Sequence, residues 1–358
     1  MSFVNILSIA SYMPGESISN DRLASLIGEL DEELMAQVDV QDRYWTINAE
    51  TGEPSESNSD ISAKSARLAL EKAGVSAEDV DLIVMSTCSP DYPLPATVTQ
   101  VQDNLGLRTA ATIEVRSGCC GAVQALDIAK LYLSTGQYRT ALVIGTEVIS
   151  PLLYQMYGHK DKDDLRLRDK LCIYSFGDGS AAMVLQASEQ ANGHLIGKSA
   201  FACAGGGKKP GMIVPIGGTA IPITHEALDK GLFSLKVDFT GSAKYTADIL
   251  HEGFHETLSK AGVTAKDIQG CIIPEGNTGY LRDDLQRSGK LSEEWLEIEN
   301  RVYDNLKYVG NTGSPAVLLA FEHAVRTGKV NQGDNVMFLA IETSKWLFAG
   351  TVFQWKGV

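Results

Sequence analysis

Along this chain, stretches with apolar residues every three to four positions alternate with short, nearly uninterrupted apolar runs, the pattern of helices packed on buried strands. The clearest unit runs from SAKSARLALEKAG (62–74), an amphipathic helix stopped by Gly74 at its C-cap, into VDLIVMST (80–87), a strand covered on both faces. It returns as DILHEGFHETLSKAG (248–262), stopped by Gly262, followed by QGCIIPEG (269–276). Across these units KAGVSAEDV (72–80) and KAGVTAKDI (260–268) match at an offset of 188 residues. A second unit, made of a glycine-flanked turn, an amphipathic helix, a polar loop and a strongly apolar strand, spans 118–148 and returns over 310–343. Its Thr-Gly pairs at 135/136 and 327/328 set an offset of 192. The repetition predicts two related α/β halves, 1–186 and 187–358, divided after the apolar segment AAMVLQ (181–186).

The offset of 192 places Cys119 and Asn311 at the starts of equivalent helices, and twofold-related packing of the halves brings such positions together. A cysteine there faces the positive end of the helix dipole and unpaired backbone amides, which favour the thiolate. Buried cysteines more often pack as small hydrophobes. The glycines of Gly118-Cys119-Cys120-Gly121, however, leave room for a substrate close to the backbone, so Cys119 is the candidate nucleophile.

Composition narrows the partners. With 44% hydrophobic and 21% charged residues, the 358-residue chain has a globular make-up and not a disordered one. A net charge of −14, from 31 basic and 45 acidic residues, works against nucleic acid, which is held by clustered cations. No apolar run approaches the roughly 18 residues that a membrane span needs. The N-terminal segment also lacks the charged region of a secretory signal, so no membrane partner and a cytoplasmic location are expected. Six scattered cysteines without a CxxC pair fit free thiols in a reducing compartment, and no metal is expected. His251-Glu252-Gly253-Phe254-His255 does match the H-E-x-x-H of zinc peptidases. The third histidine of the longer pattern is absent and the first-half helix has no counterpart, so these residues read as a solvated helix face.

Three segments together, EVRSGCCGAVQALDIA (114–129), YSFGDGSAAMVL (174–185) and YVGNTGSPAVLLAFEHA (308–324), resemble β-ketoacyl-acyl carrier protein synthase III and its relatives in the thiolase superfamily. The likeness extends to the N-terminal SYMPGESISNDRL and to the duplication itself. It implies an α/β, thiolase-like fold of five layers, αβαβα, in two pseudo-symmetric halves, and a homodimer. It implies an acyl group held as a thioester on Cys119, Asn311 as the active-site asparagine, and an oxyanion hole formed by the amides of Cys119 and Ser344. No cofactor is implied; acyl-CoA or an acyl-phosphopantetheine carrier protein is the substrate. Leu94 matches a residue that crosses the dimer interface to cap the partner's acyl pocket. Arg166, Arg168 and Lys170, in HKDKDDLRLRDK (159–170), are either a solvated mixed-charge face or the dock for an acidic carrier or its phosphate.

The departures from the family are as informative. Its second-half strand ends in Pro-His-Gln-Ala-Asn, whose histidine polarises a thioester carbonyl during decarboxylative condensation; here Pro274-Glu275-Gly276-Asn277-Thr278 stands in that place. An ionised carboxylate accepts hydrogen bonds and donates none, so Glu275 reads as a general base toward a carbon, nitrogen or oxygen nucleophile, protonated or paired at rest with Arg116. At the carrier entrance the family's tryptophan and Thr-Gly-Ile-Arg-Glu-Arg give way to Glu33 and VDVQDRY (38–44), with only Arg43 in register. The C-terminal glycine-rich loop becomes Glu342-Thr343-Ser344-Lys345-Trp346. The expected function is an acyl-thioester transferase or condensing enzyme of specialised, polyketide- or fatty-acid-like biosynthesis. A decarboxylating synthase with a protonated Glu275, and a non-catalytic partner subunit, are the alternatives.

Overall fold

The computed structural model describes residues 3–274 and 278–357. Two large sheets, each of five strands among the described residues, organise the chain. The first holds β1 (Phe3–Tyr12), β2 (Leu82–Ser86), β3 (Ala111–Val115), β4 (Thr140–Glu147) and β5 (Gly179–Ser188), in the order β1-β5-β4-β2-β3. The second holds β6 (Leu195–Cys203), β7 (Gly270–Ile272), β8 (Val302–Tyr303), β9 (Asn335–Glu342) and β10 (Leu347–Gln354), in the order β6-β10-β9-β7-β8. Adding five to each label maps one sheet onto the other. In both, the fourth strand of that order runs parallel to its two neighbours, β2 to β3 and β4, β7 to β8 and β9, while the other pairs are antiparallel.

Helices α1 (Asn58–Ala73) and α3 (Phe239–Ala261) cover the outer faces, and α2 (Gly121–Ser134) and α4 (Ala316–Arg326) lie between the sheets, which is the expected αβαβα layering. The apolar run in β2 explains itself here. Leu82 and Val84 join the central layer with Val123, Leu126 and Phe321, whereas Ile83 and Met85 face Ala66 and Leu70 of α1. Both faces are buried, so no alternation is needed. Gly74 and Gly262 end α1 and α3 in left-handed backbone (φ 64° and 71°), as the sequence predicts.

Two expectations change. Helices α2 and α4 start at Gly121 and Ala316, and β4 and β9 end at Glu147 and Glu342, an offset of 195 in each case. The offset of 192 belongs only to the Thr-Gly turn, because α4 has 11 residues against 14 in α2. Cys119 is therefore the counterpart of Ser314, with Asn311 three residues earlier. Also, β5 continues through Ser188, past the end of AAMVLQ.

A cap formed by Leu23, Trp45, Leu153, Ile173 and Tyr174 closes one end of the first sheet. Arg43 is wholly buried within it, donating to the carbonyls of Ile18 (3.0 Å) and Tyr174 (2.9 Å) and to Asn20 Oδ1 (2.6 Å). Burial pushes its guanidinium down to about 10. This corrects the reading of Arg43 as a carrier-entrance residue: its fork is spent on holding the cap together. No described helix is long and apolar enough to cross a membrane.

Asp304, just after β8, is pushed up to about 6, chiefly by burial and further by the charge of Asp39, against the bond that it accepts from the Leu306 amide. Between about pH 4 and 6 the folded chain therefore binds a proton that the unfolded chain has released, and this stabilising contribution is lost as pH rises through 6. Asp304→Asn is expected to stabilise the chain relative to wild type more near pH 7.5 than near pH 4.5, read from denaturant midpoints. Equal differences at both pH values would contradict this assignment.

Candidate active site

Cys119 sits where β3 gives way to α2. After Val115 the chain passes Arg116 and Ser117 and makes one tight turn, Gly118–Cys120, before the helix begins. Two glycines let that turn press against the strand ends. A Cβ on Gly121 would lie 1.8 Å from Ser86 Oγ, and one on Gly118, whose φ is +50°, would lie 1.7 Å from Glu342 Oε2. The adjacent cysteines part company: Cys119 lines a cavity, while Cys120 is fully buried in the central layer, its thiol donating to the Ala340 carbonyl at 3.3 Å.

The cavity, of about 290 Å³, lies where the ends of β4 and β9 meet. Ile149, Leu152, Met212, Val214 and Leu235 give it an apolar wall; Cys88, Arg116, Cys119, Asn311, Glu342 and Ser344 give it chemistry. Asn311 is fixed by its backbone, donating to the Ser175 carbonyl at 2.7 Å and accepting from Gly177 at 3.1 Å. Its Oδ1 accepts from the Gly313 amide at 2.9 Å, so the side-chain NH2 is the donor it offers the cavity.

Two strand-end glutamates, related by the pseudo-twofold, meet the opposite half. Glu147, at the end of β4, packs against Gly313 and accepts from Thr87 Oγ1 (3.1 Å), the Cys88 amide (2.8 Å), Ser89 Oγ and Ser314 Oγ (2.9 Å). Burial raises its carboxyl above the usual range, against those hydrogen bonds. Glu342, at the end of β9, packs against Gly118 and accepts from the amides of Cys119 and Ser344, each at 2.6 Å. Those are the two amides that the resemblance assigns to the oxyanion hole, and the structure brings them onto one carboxylate.

Cys119, Asn311, Arg116 and Ser344 thus come together; other candidates do not. Glu275 lies outside the described residues. Leu94 is 86% exposed and does not line its own chain's cavity. Arg166 is tied to Asp169 (2.7 and 2.9 Å), while Arg168 is exposed and Lys170 half-buried. Arg168 and Lys236 border a small hollow that shares Leu235 with the cavity wall. The Lys236 ammonium is pushed down by burial first and then by the positive charge of Arg166, with Asp169 opposing and Arg168 and Lys160 adding to the fall, so a basic patch adjoins the cavity. His251 and His255 lie on α3, away from the cavity lining, with His251 Nδ1 bonded to the Lys290 carbonyl.

Sequence reasoning missed Glu342 as a site residue and missed the apolar wall from Met212 to Val214. The first had a signal: Thr146-Glu147-Val148 and Ile341-Glu342-Thr343 end the two aligned strands. The second had none, since the segment after β6 carries no periodicity.

Profiles of 3-oxoacyl-[acyl-carrier-protein (ACP)] synthase III match residues 113–205, and of its C-terminal part residues 258–355. The β-ketoacyl-[acyl-carrier-protein] synthase III of Caldanaerobacter subterraneus subsp. tengcongensis is 30% identical over 352 residues, covering 98% of this chain and 97% of that protein. Among solved structures, the tetronic acid condensing enzyme AbyA1 superposes with a TM-score of 0.81 at 26% identity, covering 98% of this chain and 99% of that one. The 3-oxoacyl-(acyl carrier protein) synthase III, FabH, of Pseudomonas aeruginosa PAO1 gives 0.80 at 22% identity, covering 99% of each chain.

Proposed function

The chain belongs to the 3-oxoacyl-[acyl-carrier-protein] synthase III family, with its thiolase fold, and from that premise we propose that it loads an acyl group onto Cys119 and passes it to a second substrate. Acyl-transfer condensation is the family's chemistry. The observation that carries this reading is the convergence, in one cavity, of Cys119, Asn311 and the amides of Cys119 and Ser344.

In the first half-reaction the Cys119 thiolate attacks the carbonyl carbon of an acyl-CoA or acyl-carrier thioester. The oxyanion accepts from the Cys119 and Ser344 amides, the carbon–sulfur bond to the carrier breaks, and the departing thiolate takes up the proton that Cys119 released. In the second, Asn311 positions the acceptor and Glu275 takes the proton from its carbon, nitrogen or oxygen nucleophile. Attack on the acyl carbon then expels the Cys119 thiolate. Arg116 is on the cavity wall, and in this reading Glu275 is either protonated at rest or paired with it. The apolar wall accepts a chain longer than acetyl, and Arg168 and Lys170 face an acidic carrier or its phosphate; Arg166, held by Asp169, steadies that patch. The pathway served is a specialised biosynthetic one.

Intact-mass measurement after incubation with acyl-CoAs and acyl-carrier donors tests this reading. A mass increment equal to the acyl group is expected, and its absence with every donor would favour a non-catalytic partner subunit.

Leu94 and Tyr92, 86% and 56% exposed, are the apolar contacts of a homodimer in this reading, with Leu94 capping the partner's pocket. Sedimentation velocity at micromolar concentration is expected to give a dimer, and a stable monomer would refute the capping role.

A further inference from the structure

The bonds that Glu342 makes differ in kind from those of its pseudo-twofold counterpart. Glu147 is anchored by three hydroxyls, the Cys88 amide and, at 3.5 Å, the Ser314 amide, so it is part of the wall. Among the described residues the donors to Glu342 are two backbone amides, one to each carboxylate oxygen and both at 2.6 Å. An oxyanion hole aims two such N–H groups at a single oxygen; here each amide is taken by a different oxygen of the same carboxylate, so neither is left for a thioester oxygen. The seat is also shaped: the carboxylate fills the space where any residue but glycine at 118 would place its Cβ, and Glu342 is only 1% exposed. Hydrogen bonds to a carboxylate are roughly twice as strong as those to a neutral carbonyl, so an incoming thioester oxygen is the weaker ligand for the same two donors.

We propose that Glu342 is a built-in competitor for the oxyanion hole, whose carboxylate must leave the amides of Cys119 and Ser344 before an acyl thioester can load Cys119. This rests on the acyl-transfer reading above. It makes Glu342 a rate- and specificity-determining residue: only donors with enough binding energy in chain and carrier to move the carboxylate are loaded efficiently.

A carboxylate next to a thiol also disfavours the thiolate, and that effect must be separated from occupancy of the hole. Two reagents separate them. Iodoacetamide needs the thiolate but no oxyanion hole, whereas an acyl-CoA needs both. Wild type, Glu342→Gln and Glu342→Ala are compared by time-resolved intact mass with each reagent, with thermal melting as the check on folding. Glutamine keeps the volume of the side chain but presents an NH2 to one of the two amides, so it cannot satisfy both. Acylation is expected to speed up in both variants by at least about tenfold more than alkylation does. Equal acceleration with the two reagents would reduce Glu342 to a charge effect on the thiol and overturn the proposal. Slower acylation in folded Glu342→Gln would overturn it too, showing that the carboxylate organises the hole. Alkylation without acylation in all three proteins would refute the acyl-transfer reading itself, and this inference with it.

Discussion

Cys119→Ala is expected to abolish the acyl adduct, while Cys120→Ala leaves loading within a few-fold of wild type. The structure separates these neighbours: Cys119 lines the cavity at the start of α2, and the Cys120 thiol points into the central layer toward the Ala340 carbonyl. Without a nucleophilic sulfur at position 119 no thioester can form, so the loss is complete and not graded. Cys88 is the rival within the same cavity. Cys88 is exposed to solvent, yet desolvation of its thiol raises the pKa first and the charges of Glu147 and then Glu342 raise it further, which disfavours the thiolate. It is therefore expected not to take over when Cys119 is removed. Intact mass of the two variants after exposure to the donor that loads wild type decides the matter; an adduct that survives Cys119→Ala would move the nucleophile elsewhere.

The second large effect is on transfer. Glu275→Gln keeps the size of the side chain and removes its ability to accept a proton. Loading of Cys119 is then expected to persist while transfer to the acceptor falls by roughly 10²- to 10⁴-fold. On the proposed placing of Glu275 beside Cys119, loading is expected to be normal or faster, since one negative charge fewer there favours the thiolate. The alternative, a protonated Glu275 acting as a hydrogen-bond donor in decarboxylative condensation, makes the opposite forecast, because a glutamine amide also donates. Single-turnover transfer from pre-loaded protein separates the two. Turnover within a few-fold of wild type would end the general-base role.

Much of the architecture was legible in the sequence because it rests on local signals. The helix stops at Gly74 and Gly262 and the doubly buried run Leu82–Met85 are written in neighbouring residues, and the structure places them as expected. The equivalence of Cys119 with Asn311 failed for a countable reason: α4 is three residues shorter than α2, and a turn beyond the helix cannot report where the helix began. Arg43 read as a residue of the carrier entrance, and Arg166 as part of a solvated face or a dock for an acidic carrier or its phosphate, because charge in sequence says nothing of what is already satisfied. The first is spent on two carbonyls and Asn20, the second on Asp169 one helical turn away. The seat of Glu342 joins residues 223 apart in the chain, and only the meeting of the two halves creates it.

The most direct test of the central claim is peptide-level mass spectrometry of the wild-type chain after a brief exposure to an acyl donor, with fragmentation to place the added mass among Cys88, Cys119 and Cys120. The acyl group is expected on Cys119 alone. An acyl group on Cys88 or Cys120, or a loaded protein whose label lies on no cysteine, would contradict it.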